Sequence, residues 1–247
     1  MSIESPDELA ALQKVGHICH LALNAMRKNV RAGVTTAELA SIGARVMREN
    51  GARSAPVMVY GFPADILVSV NDEAVHGVPS ERRIEAGDLV KLDVTFEKGG
   101  YMADAAITVP VEPVAEEARR LARCAERAFD RAMRVARAGN RVSEIGREVE
   151  REVKHSGFSV IRGLCGHGIG RTIHESPSVP NYEDRFSPQR LAPGLVITVE
   201  PIISARAART ATGEDGWTER TVDGSLSAHF EHTLVITERA PILLTAA

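Results

Sequence analysis

Lys91-Leu92-Asp93-Val94-Thr95-Phe96-Glu97-Lys98-Gly99-Gly100-Tyr101-Met102-Ala103-Asp104 is the stretch whose reading decides the fold. Val90, Leu92, Val94 and Phe96 alternate with Lys91, Asp93 and Thr95, the period of a strand with one apolar face. Lys98-Gly99 or Gly99-Gly100 can supply the positive φ of a two-residue hairpin turn. With Lys98-Gly99 as the loop, Asp93 lies directly opposite Asp104. With Gly99-Gly100, the two carboxylates are diagonal neighbours on one face. Directly opposed residues have Cβ atoms about 4.5–5.5 Å apart, and like charges there destabilise a sheet unless something neutralises them. A divalent cation, or a pair of them, would do so. Two solvent-facing aspartates are the alternative.

The bulk numbers are those of a soluble globular protein. The chain has 247 residues, 44% hydrophobic and 26% charged, enough to bury a core. A net charge of −3 gives no global attraction to DNA, RNA or an anionic membrane. Cys19, Cys124 and Cys165 are an odd, dispersed set, which fits a reducing compartment and no disulfide framework. Met1 to Glu8 is polar and acidic, unlike a signal peptide, and no run approaches the roughly 18 apolar residues of a membrane span. A cytoplasmic protein is expected.

Outward from the hairpin, Ser5-Pro6-Asp7-Glu8 and Thr35 with Glu38 read as capping boxes opening two helices, the second closed by Asn50-Gly51. Pro56 to Tyr60 and Ile66 to Val70 read as strands, followed by a loop from Asn71 to Pro79 that carries His76. Helices are expected from Pro113 to about Ala136 and from about Ser143 to His155. Arg120, Arg123, Arg127, Arg131 and Arg134 line one face of the former; interleaved acidic residues favour a solvated face over an RNA-docking patch. A strand near Ser159, a glycine-rich loop around His167, a strand from Leu195 to Val199, and strands around Trp217–Val222 and Ala228–Thr237 complete the chain.

The chain also repeats itself. Arg31-Ala32-Gly33, Glu38-Leu39 and Gly51 match Arg137-Ala138-Gly139, Glu144-Ile145 and Gly157. Arg83, Gly87 and Asp93 match Arg190, Gly194 and Glu200, so the offset stays at 106 to 107 residues. Two helix–helix–strand halves, about 5–109 and 113–237, would form one pseudo-two-fold α+β domain over 1–247, with the site between them. Repetition places Glu200 beside Asp93. Glu200 ends the apolar run Leu195 to Val199, and Glu231 sits inside another strand; buried carboxylates are costly unless paired or metal-bound. His167 lies between glycines that permit a close approach. Leu164 to Gly170 lacks the spacing of a dinucleotide fingerprint, and His167 with His174 is not a His-Glu-x-x-His zinc helix. Four carboxylates and an imidazole suit Mn²⁺, Fe²⁺ or Co²⁺, with Zn²⁺ also acceptable, as two ions about 3.5–4 Å apart.

Asn71 to Pro79, Leu92 to Asp104, Cys165 to Ser176, Val199-Glu200-Pro201 and Ser225 to Thr237 resemble the type I methionine aminopeptidases. The resemblance spans nearly the whole chain and implies the pita-bread fold, an α+β arrangement with a pseudo-two-fold repeat around a central antiparallel sheet. It implies Asp93, Asp104, His167, Glu200 and Glu231 as metal ligands, with Asp104 and Glu231 bridging, and Glu200 helping to deprotonate the water. His76 would meet the scissile amide, His174 would stabilise the tetrahedral intermediate, and Phe62 and Trp217 would line the pocket. The implied partners are nascent-chain N-termini with a small second residue, met at the ribosome by a monomer. Ala105, Pro56, Leu67 and Ile173 depart from the family's usual residues, which bears on efficiency and pocket shape; Ala105 would remove a hydroxyl beside Asp104. An aminopeptidase P or prolidase activity and a metal-free binding scaffold are the alternatives.

Overall fold

The computed structural model describes residues 1–246; Ala247, the last residue of the expected domain, lies outside them. The first half runs α1 (Pro6–Arg27), α2 (Thr36–Glu49), β1 (Arg53–Ser54), α3 (Ala55–Tyr60), β2 (Leu67–Val70), β3 (Glu73–Val75), β4 (Leu89–Lys98) and β5 (Tyr101–Pro110). The second runs α4 (Glu116–Met133), α5 (Val142–His155), β6 (Ser159–Val160), β7 (Cys165–Gly168), β8 (Glu175–Pro180), β9 (Val196–Val199) and β10 (Ile202–Ser204). It continues through β11 (Thr210–Thr212), β12 (Glu219–Thr221), β13 (Ser227–His229), β14 (Glu231–Val235) and β15 (Ile242–Leu243).

A nine-stranded sheet carries the fold. Its main path is β1-β4-β5-β14-β9-β7-β8, with β2 added to β4 and β15 to β14. The hairpin turns on Gly99-Gly100: Lys98 pairs with Tyr101, Thr95 with Asp104 and Asp93 with Ala106. The diagonal register therefore holds, and Asp93 and Asp104 share a face. Val90, Leu92, Val94 and Phe96 point the other way, into a core with Val15, Cys19, Leu39 and Met47 of α1 and α2. A second core joins Leu121, Ala125, Ile145 and Val149 of α4 and α5 to Ile197, Val199 and Leu234. Helices thus cover one face of the strands, and the alternation of each strand sends its polar residues to the opposite face.

The repeat recurs as matched contacts. The Gly33 amide donates to Ile84 O (2.8 Å) and the Gly139 amide to Leu191 O (2.9 Å). Arg83 donates to Gly33 O at 2.7 Å and Arg190 to Gly139 O at 2.6 Å. The Gly87 amide reaches Val111 O and the Gly194 amide reaches Ile236 O, at 2.7 and 2.8 Å.

Three local expectations are corrected. Pro56 to Tyr60 is not a strand but helix α3: Ser54 Oγ caps the Val57 amide, Pro56 suits a first turn, and Gly61 closes it at φ 69. The valine alternation lost to these end signals. The Asn71 to Pro79 segment is not all loop, because β3 pairs with β12. The glycine-rich segment around His167 is strand β7, and its glycines serve strand contact. A Cβ on Gly166 would stand 2.5 Å from Thr198 O, and one on Gly168 2.3 Å from Ser176 O. On α4, Arg127 and Arg131 pair with Glu152 of α5 (2.8 and 2.6 Å), so part of that basic face joins two helices.

Gly166→Ala should force β7 from β9 and cost about 1–3 kcal/mol, as overpacking does. Gly163→Ala, where nothing lies within 4 Å, is the control and should melt with the wild type. Thermal denaturation checks both, and equal midpoints for all three proteins would contradict the close approach.

Candidate metal centre

The polar face of the sheet opens into a cavity of about 550 Å³. Asp93 comes from β4, Asp104 from β5, His167 from β7, Glu200 from the residue after β9, and Glu231 from the start of β14; all five line this cavity. Asp104, His167 and Glu231 offer ligand atoms within 4.8 Å of one another, and so do Glu200, His229 and Glu231. Asp93 belongs to neither trio, but it lies diagonally across the hairpin from Asp104. His229 was not anticipated. It sits two residues before Glu231, and strand alternation was the available signal.

Burial sets the protonation chemistry. It raises Asp93, Glu200 and Glu231 well above the usual carboxylate range, and the neighbouring carboxylates push each further. Asp104 rises to about 7 through burial, partly offset by the Thr95 hydroxyl and the Ala105 amide. Ala105 itself packs in the helix-side core, where a hydroxyl would face away from Asp104, while Thr95 stands opposite Asp104. Burial lowers His167 to about 4 and His229 to about 3, so both imidazoles are neutral at pH 7. His167 Nδ1 lies 2.9 Å from Gly168 O, which can only accept, so Nδ1 carries the proton. Nε2 keeps its lone pair and lies 3.6 Å from Glu200 Oε1, the form a metal ligand needs.

No Lys or Arg pairs with these four carboxylates among the described residues. Lys91, next along the same face, is fully buried, and its ammonium goes elsewhere: to Asn71 O (2.7 Å), Ser227 Oγ (3.1 Å) and Ser227 O (3.3 Å). Asp104 Oδ1, Glu231 Oε1 and both ring nitrogens of His229 are buried without a hydrogen-bond partner among the described residues. His229 Nε2 is 3.3 Å from Glu231 Oε2 and 3.8 Å from Glu200 Oε2. Lone pairs converging from oxygens and neutral imidazoles, with no positive side chain among them, fit a divalent cation.

The other expected residues line the same cavity. His76 holds a left-handed φ of 58, and His174 packs its ring 4.1 Å from that of His167. Both keep surface toward the cavity, while the surrounding protein lowers their pKa values. Phe62 and Trp217 meet edge to face at 5.2 Å, and Pro56, Leu67 and Ile173 extend this apolar wall. Tyr60, not foreseen, lies 2.5 Å from His174 Nδ1.

A raised carboxyl keeps in the folded chain a proton that the unfolded chain has released. For Asp104 the two pKa values are about 7 and 3.8, so its ionisation removes stability as pH rises between them. In chelator, Asp104→Asn should therefore gain on the wild type from pH ~4 to ~7, by at most about 1.4 kcal/mol per unit. Comparing the two proteins cancels the opposite slope from the buried histidines. Saturating divalent cation should reverse the order. A difference in melting temperature that stays constant across this window would count against a desolvated Asp104.

Residues 10–238 match the model of Metallopeptidase family M24. The chain is 43% identical to "Methionine aminopeptidase 2" of Bacillus subtilis, covering 99% of both proteins. It is 37% identical to "Methionine aminopeptidase" of Clostridium perfringens, covering 98% of both. The solved methionine aminopeptidase of Thermotoga maritima superposes with a TM-score of 0.96 at 34% identity over the whole of both chains. The prolidase of Pyrococcus furiosus gives 0.79 at 26% identity, and this chain spans only 65% of it. These neighbours share the pita-bread arrangement that the resemblance implies and with which the repeat agrees. With nearly its whole length matched and the carboxylates and histidines gathered in one cavity, the chain belongs to metallopeptidase family M24.

Proposed function

We propose that the chain removes the N-terminal methionine from peptides and nascent proteins whose second residue is small. The observation that carries the reading is one cavity with two kinds of wall: a cluster of buried carboxylates and neutral imidazoles, and an apolar side closed by Phe62 and Trp217. Full-length likeness to methionine aminopeptidases, against partial coverage of prolidase, supports this specificity.

Two divalent cations, Mn²⁺, Fe²⁺ or Co²⁺ with Zn²⁺ also acceptable, would be held by Asp93, Asp104, His167, Glu200 and Glu231. When bound, they activate water and polarise a carbonyl. Glu200, which lines the cavity with its carboxylate oriented by the Thr198 hydroxyl at 2.8 Å, accepts the proton of the attacking water. His174 donates a hydrogen bond to the developing oxyanion, and His76 holds the scissile amide. Both act as neutral N–H donors, because their lowered pKa values leave them uncharged near pH 7. Phe62, Leu67, Ile173 and Trp217 enclose an unbranched thioether side chain and exclude water.

The same reading makes 1–247 a single catalytic domain with halves at about 5–109 and 113–237, supported by the paired hydrogen bonds of Gly33 and Gly139. It also makes the protein a cytoplasmic monomer that meets nascent chains at the ribosome. No helix of the described residues is long and apolar enough to cross a membrane.

Met-Ala-Ser, Met-Lys-Ser and Ala-Pro-Ser peptides, offered with Mn²⁺, Co²⁺ or Fe²⁺, test the activity. Methionine should be released from the first alone. Cleavage only before proline would assign the aminopeptidase P or prolidase reaction, and no cleavage a binding scaffold. His174→Ala should lower kcat by roughly 10²–10³, the loss seen when one oxyanion donor is removed. Its metal content should stay unchanged, whereas Asp104→Ala should lose metal and activity together.

A further inference from the structure

The Tyr60 hydroxyl and His174 Nδ1 are 2.5 Å apart, with ring centroids separated by 5.6 Å at 43°. The two residues lie 114 positions apart in the chain and meet at the cavity. We propose that Tyr60 is a positioning residue: its hydroxyl donates to Nδ1 of His174 and so places the imidazole proton on Nε2, the nitrogen left for the substrate. The inference rests on the reading that His174 meets the developing oxyanion.

The main chain around His174 is already fixed. Glu175 accepts from the Arg171 and Thr172 amides at 2.7 and 2.8 Å, and the Thr172 hydroxyl donates to His174 O at 3.1 Å. None of these contacts sets the rotation or tautomer of the ring. The His167 ring packs against it at 4.1 Å but makes no hydrogen bond to it. Among the described residues, the Tyr60 contact is the hydrogen bond that the His174 ring makes.

A neutral imidazole has one N–H and one lone pair, and the partner at one nitrogen decides the state of the other. Burial raises the pKa of Tyr60, so it remains a phenol with a proton to give. Donated to Nδ1, as proposed, that proton makes Nδ1 the acceptor and leaves the ring proton on Nε2. The opposite tautomer would present a lone pair to a developing negative charge, and a wrongly set tautomer is costly to catalysis. Tyr60 is well placed to hold this geometry, because it ends α3 and the buried Ala55 and Pro56 anchor that helix.

Tyr60→Phe tests this while keeping the ring and the fold. On the metal-loaded enzyme, kcat for Met-Ala-Ser should fall roughly two- to ten-fold, the worth of one hydrogen bond, with KM unchanged. Nitrogen-15 NMR of histidine-labelled, zinc-loaded protein gives the second readout, with His174 assigned by its loss in His174→Ala. The wild type should show a protonated Nε2 and an unprotonated, hydrogen-bonded Nδ1, and Tyr60→Phe should give a mixture of tautomers. A protonated Nδ1 in the wild type, or an unchanged spectrum and kcat in Tyr60→Phe, overturns the proposal. A wild type that releases no methionine overturns the functional reading instead, and the spectrum still decides the tautomer.

Discussion

Four carboxylates are held out of water on one face of one sheet, and most of the molecule follows from that constraint. Asp93, Asp104, Glu200 and Glu231 come from four places in the chain, and burial makes each a reluctant anion. Leaving one buried charge without a partner costs several kcal/mol, so an apolar core could not hold four of them. A divalent cation held among them would relieve that burden at neutral pH. Among the described residues no Lys or Arg pairs with them; the fully buried Lys91 is spent on the backbone oxygens of Asn71 and Ser227.

The sheet can present such a face because its other face is fully covered. In β4 the apolar residues Val90, Leu92, Val94 and Phe96 pack under α1 and α2, while Lys91, Asp93 and Thr95 occupy the alternate positions. Ile197 and Val199 do the same under α4 and α5, leaving Thr198 and Glu200 opposite. The Thr198 hydroxyl then donates to Glu200 Oε1 at 2.8 Å, so the carboxylate is oriented before any ligand arrives. Hydrophobic burial on one side thus supports an electrostatic burden on the other.

The histidines complete the site by being neutral. Burial above all, with smaller pushes from His174 on His167 and from His76 and Lys91 on His229, removes their charge. A backbone carbonyl sets the tautomer of His167, and Tyr60 is in position to set that of His174. Control of which nitrogen carries the proton is therefore built into contacts outside the carboxylate cluster.

The sequence by itself determined the elements whose signals are local. Alternation in Leu89–Lys98 and Tyr101–Pro110 puts Asp93 and Asp104 on one face under either hairpin register, since the period of two keeps the faces when the loop shifts. The Ser5 cap of α1, the capping box of α2 and the 106-to-107-residue repeat were legible in the same way, and repetition brought Glu200 to Asp93; at α1 the Glu8 carboxylate accepts from the Glu4 amide, so the box expected there is only half formed. The family resemblance added which carboxylates would bridge and the roles expected of His76 and His174, which spacing alone did not reach. Only the tertiary structure decided the rest. Helix α3 won over a valine alternation through its capping serine and closing glycine. The glycines beside His167 answer to Thr198 and Ser176 on neighbouring strands. His229, Lys91 and the Tyr60–His174 contact depend on segments far apart in the chain. Pattern along a chain reports which way a side chain points, but not which distant group it will meet, because that is set by how the sheet closes and the helices pack.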